Sequence, residues 1–162
     1  MTFESYSKHF NQQDMEKDLC FYVTEKFVNS SRDVYYDISN SAKGGAVFYR
    51  AWKQNWSKNI EKINFNIHLE AYAEKVYLHF ETLPYIPYKK LDEQTKEIIN
   101  RQKEIFMQKL EGLQEISGVE KRNIRANATL MIGNFKVKYD SFEEYYSIVS
   151  NLLEKIDELI VN

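Results

Sequence analysis

A chain of 162 residues, 43% apolar and 28% charged, with five glycines and two prolines, is long enough to bury one core. It is too apolar for a disordered chain, and its composition is neither collagen-like nor low-complexity. The formal charge of −2 gives no global pull toward nucleic acid or anionic membrane. A single compact α+β domain over residues 1–162 is expected.

No apolar run approaches the ~18 residues of a membrane span. The start Met-Thr-Phe-Glu-Ser-Tyr has neither the basic beginning nor the apolar stretch of a signal peptide, so a cytoplasmic location is expected. On that reading the sequons at Asn29, Asn55 and Asn127 never meet the glycosylation machinery. Cys20 is the single cysteine. It can form no intramolecular disulfide and fits a buried small hydrophobe better than a nucleophile.

Met15, Leu19, Tyr22, Val23 and Phe27 recur at helical spacing and predict a helix over about 15–28, with Asp14 as its cap. Asn29-Ser-Ser-Arg-Asp ends it. Val34, Tyr36 and Ile38 then alternate with Tyr35, Asp37 and Ser39 as a short strand. Residues 40–45 read as a turn into an aromatic strand, Ala46–Trp52. A polar connection follows over Lys53–Lys62, with Trp56 in its middle.

Residues 62–83 carry the clearest pattern. Ile63, Phe65, Ile67, Leu69 and Ala71 alternate with Asn64, Asn66, His68, Glu70 and Tyr72. After Ala73-Glu74, Val76, Leu78, Phe80 and Thr82 alternate with Tyr77, His79 and Glu81. This is a hairpin. Pairing Tyr72 with Lys75 keeps every apolar residue on one face and sets His68 opposite His79, Glu70 opposite Tyr77 and Asn66 opposite Glu81.

Pro84 and Pro87 close the sheet segment. From Leu91 to Leu113, the residues Leu91, Ile98, Ile99, Ile105, Phe106, Leu110 and Leu113 form one stripe of a long helix. Ala126, Ala128, Leu130 and Ile132 alternate as a strand, and so do Phe135, Val137 and Tyr139, with Gly133-Asn134 as a turn between them; a short helix over 121–131 is the alternative. Ser141-Phe142-Glu143-Glu144 is a capping box for a last helix carrying Tyr145, Val149, Leu152, Ile156 and Leu159. Strands in a run followed by helices define an α+β fold: an antiparallel sheet of four to six strands, with an N-terminal helix and two long helices packed on its apolar face.

Two constellations bear on chemistry. His68, Glu70, Tyr77, His79 and Glu81 share the polar face, and two imidazoles with two carboxylates have the elements of a metal site or of a general acid/base pair. An ordinary solvated sheet face produces the same row, so no catalytic residue, metal or cofactor is assigned. The second constellation is Tyr49–Lys58, where Arg50, Lys53 and Lys58 interleave with Trp52 and Trp56 as in single-strand nucleic-acid binders. Two indoles four residues apart also fit one buried helical face, and that reading is preferred. A further basic group, Lys121, Arg122, Arg125, Lys136 and Lys138, reads as solvated surface.

Phosphate-loop, dinucleotide, nucleophile-elbow, Cys-x-x-Cys and His-Glu-x-x-His motifs are absent from the sequence. The function expected is therefore that of a binding protein of the inhibitor, immunity or adaptor kind. Its partner would be another protein, met through the polar sheet face or the Trp52–Trp56 connection. A hydrolase using His68, Glu70, His79 and Glu81 is the second reading, and a single-stranded nucleic-acid binder the third.

Overall fold

The computed structural model describes residues 12–29, 35–40 and 46–161. Helix α1 (Gln12–Asn29) is followed by β1 (Tyr35–Asn40), β2 (Val47–Trp52), a 3-10 turn (Gln54–Trp56), β3 (Lys58–Ile60), β4 (Ile63–Ala71) and β5 (Lys75–Thr82). Then come α2 (Glu93–Lys109), a 3-10 stretch (Leu110–Glu115), β6 (Val119–Lys121), β7 (Met131–Val137) and α3 (Phe142–Val161). Six strands lie in the order β1-β2-β4-β5-β7-β6, and short β3 pairs with the half of β4 that β2 leaves open. All pairings are antiparallel. The fold is the expected α+β arrangement, with an N-terminal helix and two further long helices packing on the sheet.

The hairpin register is the one the apolar parity dictates: His68 faces His79, Glu70 faces Tyr77 and Asn66 faces Glu81. Phe65, Ile67, Leu69, Val76, Leu78 and Phe80 are fully buried beneath the helices. Phe65 and Phe80 stack at 4.7 Å, and Phe106 of α2 closes on Phe80 at 5.2 Å. From α1, Phe27 packs on Tyr49 of β2 and Tyr146 of α3. Burial on this scale yields about 1.5–3 kcal/mol for each large side chain, so a one-residue slip of β4 would be costly. Near its start α3 is tied to the sheet, where the Tyr145 hydroxyl donates to the Tyr72 carbonyl at 2.9 Å.

Several expectations need correction. Asp14 lies inside α1, which begins at Gln12. The connection after β2 holds an additional strand, because Glu61 and Lys62, at φ 51° and 70°, make a two-residue turn that joins β3 to β4 with Ile60 opposite Ile63. Ile105 leaves the predicted stripe and is 42% exposed. α2 is capped by Asp92, whose carboxylate accepts the Thr95 amide at 2.8 Å, and it tightens to 3-10 geometry from Leu110.

Gly133-Asn134 is no turn, since β7 runs straight through it beside Leu78, with a register shift between Leu78 and His79. A Cβ on Gly133 would lie 2.9 Å from the Phe135 ring and 3.0 Å from Leu78, so the glycine serves close packing. Ala126 and Ala128 precede β7 outside any strand, and the 121–131 helix is not formed. Ser141 caps α3 as predicted, its Oγ accepting the Glu144 amide at 3.1 Å, while the Glu144 carboxylate reaches one residue further back than a closed capping box would and accepts the Asp140 amide at 2.7 Å. Of the turn predicted over 40–45, Asn40 belongs to β1 and residues 41–45 lie outside the described residues, as do 30–34, where the helix end and the start of the first strand are expected.

Candidate functional site on the polar face of the sheet

The face of β4 and β5 turned away from the helices gathers five of the predicted residues, His68, Glu70, Tyr77, His79 and Glu81. Alternation puts His68 and Glu70 of β4 beside His79 and Glu81 of β5, and the side chains close on one another. His68 Nε2 and His79 Nδ1 each lie 3.3 Å from the same atom, Glu70 Oε1. His68 Nδ1 lies 3.4 Å from Glu81 Oε1 and 3.3 Å from Asn66 Oδ1. The two imidazoles meet edge to face at 5.3 Å, and the Tyr77 ring stacks parallel to His79 at 6.4 Å. Lys75 of the same strand sits over Tyr77.

This is not an ordinary solvated row, because His68 is only 4% exposed. Burial alone would push the Glu70 carboxyl up; the two imidazoles beside it, those of His68 and His79, outweigh burial and hold the group at about 2. Both ring nitrogens of His68 face acceptor oxygens, although a neutral imidazole carries a single N–H. One of those contacts is therefore repulsive unless a proton or another cation lies in it.

Trp52 lies on this face and Trp56 does not. Trp52 has the parity of Arg50, which pairs opposite Glu70, while Tyr49 and Ala51 point to the core. The 3-10 turn then carries Trp56 to the helix side, where it is fully buried and its indole Nε1 donates to Asp157 Oδ1 at 3.0 Å. The two indoles do not share one buried face as expected. Beside His68 an open recess of about 160 Å³ is lined by Arg50, Trp52, Asn66, Glu81, Leu83 and Tyr85 among others.

Leu83, Tyr85 and Ile86 are 48%, 57% and 42% exposed on the loop that follows β5. The Ile86 amide donates to Thr82 Oγ1 at 2.9 Å, which fixes this loop against the strand. Sequence reasoning missed it. The available signal was Leu83 before Pro84 and Tyr85-Ile86 between Pro84 and Pro87, a stretch that reads first as a strand terminator.

The cations around the tryptophans are not gathered on one surface. Lys53 pairs with Asp157 at 2.9 Å and Lys58 donates to the Ile160 carbonyl at 3.0 Å, both on α3, whereas Arg50 is on the polar face. Lys121 and Arg122 lie at the β6 and β7 end of the sheet, separated from β2 by β4 and β5. Lys121 pairs with Glu111 there, and Arg122 and Lys138 with Glu120. Cys20 is buried, which together with Glu16 pushes its thiol up to about 12, away from nucleophile chemistry. No helix among the described residues is long and apolar enough to cross a membrane. The chain matches no family model, no curated protein and no solved structure.

Proposed function

We propose that this protein works by binding another protein, as an inhibitor, immunity protein or adaptor does, and that the contact surface is the recess at Trp52 with the loop 83–86 beside it. The observation that carries this reading is the apolar rim of Leu83 and Tyr85 next to a tryptophan and an arginine, with exposed Ile86 following on the same loop. Aromatic residues and arginine are the types enriched at interface hot spots. A rim anchored by its own hydrogen bond would lose little conformational entropy when covered.

The test is a photo-reactive residue placed at Tyr85, compared in cells with one at exposed Glu154 on the outer side of α3. A discrete crosslinked protein is expected from position 85 and not from 154, and it should disappear when Trp52→Ala is added. Identical adduct patterns from the two positions would refute the reading.

A hydrolase built on His68, Glu70, His79 and Glu81 is the second reading. It draws on the convergence of two imidazoles on one carboxylate oxygen. The nucleic-acid reading has less support, since one indole is buried and the neighbouring lysines are engaged by α3.

A further inference from the structure

We propose that His68, His79 and Glu70 form a binding site for one zinc-class divalent cation, with Nε2 of His68, Nδ1 of His79 and the Glu70 carboxylate as ligands. The proposal does not rest on the partner-binding reading. It rests on three features of the cluster.

The first is geometry. In a tetrahedral site with ligands at about 2.0–2.1 Å, neighbouring ligand atoms stand about 3.3 Å apart. The separations from His68 Nε2 and His79 Nδ1 to Glu70 Oε1 are both 3.3 Å. Charge-assisted N–H···O bonds are shorter, about 2.7–2.9 Å. The ligand atoms of all three residues lie within 4.8 Å of one another, so the third edge, between the two imidazoles, is the one a bound cation would have to draw in.

The second feature is the outer shell. A metal-bound histidine ordinarily donates its other ring N–H to a carboxylate or carbonyl, which fixes the tautomer and aims the ligand nitrogen. His68 has this arrangement, with Glu81 Oε1 and Asn66 Oδ1 at its Nδ1. With the proton on Nδ1, the Nε2 lone pair points at the Glu70 oxygen, and a cation between them turns that repulsive contact into two ligand bonds.

The third is burial. His68 is 96% removed from solvent and Glu70 half-buried, so their rotamers are held in place by the sheet and by their neighbours. His79 is half-buried, which leaves an outward side for entry and for a fourth, exchangeable ligand. Arg50, opposite Glu70 in the register, would favour an anionic group at that position.

The test uses the full chain after chelator treatment, titrated with Co²⁺ near neutral pH. One equivalent should bind, give the visible absorption of a four- or five-coordinate ion, and be displaced by Zn²⁺. Zn²⁺ should also raise the thermal midpoint, because the ligands are assembled only in the folded chain. His79→Ala and Glu70→Gln, whose side chains are the less buried members, should each abolish the absorption while keeping a cooperative melt. Glu81→Gln should weaken binding roughly 10–100-fold, as loss of an outer-shell partner does.

The alternative is that His68 is an imidazolium held between Glu70 and Glu81. Its ring ¹⁵N shifts would then show both nitrogens protonated and would not respond to added Zn²⁺. That result, an absence of saturable Co²⁺ binding, or binding that survives in folded His79→Ala would each overturn the proposal.

Discussion

The indole of Trp56 and the carboxylate of Asp157, 101 residues apart in sequence, meet at 3.0 Å through Nε1 and Oδ1. The same carboxylate accepts from Lys53 Nζ at 2.9 Å and from Asn55 Nδ2 at 3.0 Å. One acid on α3 thus gathers three donors from the turn between β2 and β3.

Replacing Asp157 should therefore cost more than a surface ion pair, which contributes about 0–1 kcal/mol. Asp157→Ala leaves the Trp56 N–H buried without a partner, and a loss of about 1–3 kcal/mol is expected in urea unfolding. Burial pushes the Asp157 carboxyl up, but the bonds from Lys53, Trp56 and Asn55 prevail and its folded value lies below the ordinary 3.8. The sign follows: the contribution is complete above pH 3.8 and disappears as pH falls from there through the lower folded value. Wild type and Asp157→Asn should thus converge in stability as the solution is acidified below 3.8. A gap that widened instead would rule the linkage out.

The two tryptophans should differ in fluorescence. Trp56 is fully buried and hydrogen-bonded, whereas Trp52 is half-buried beside the polar recess. Quenching by acrylamide should resolve a protected and an accessible component, with the protected one alone remaining in Trp52→Phe. Single-stranded DNA should leave both unchanged at low salt. Quenching by the oligonucleotide that is reversed by salt would favour the nucleic-acid reading, through counterion release.

Lys62 stands at φ 70°, a backbone region that L side chains rarely adopt. Glycine occupies it without a Cβ penalty, which for an L residue is about 1–2 kcal/mol. Lys62→Gly should raise the unfolding free energy from chemical denaturation, by up to about 1 kcal/mol once the added freedom of the unfolded chain is deducted. Lys62→Val should lower it. The same response to both would show that the turn is not the source of strain.

The β4–β5 hairpin was legible because burial on one face makes parity informative: Phe65, Ile67 and Leu69 have only one register that keeps them dry. The convergence of His68, Glu70, His79 and Glu81 followed from that register alone. The β3–β4 turn was not legible, since Glu61-Lys62 lacks the Asn-Gly or Asp-Gly signature of its type. Gly133-Asn134 has the opposite defect, a turn-like pair whose glycine instead makes room for Leu78 and Phe135. Trp52 and Trp56 misled for a third reason: four residues mean one face in a helix, but strand followed by 3-10 turn sends them to opposite sides.

The attachments of α3 have a mechanical consequence. Tyr145 near its first turn holds the Tyr72 carbonyl by the β4–β5 bend, and Asp157 near its last turn holds the connection at the far end of β4. The twelve-position step from Tyr145 to Asp157 spans about 18 Å of helix. α3 therefore acts as a strut clamped at both ends across the central strand, and fraying at either end is opposed by a bond to a different part of the sheet. Helix and hairpin should therefore open as one unit, and native-state hydrogen exchange is expected to give the amides of α3 and β4 a common opening free energy in place of two local ones.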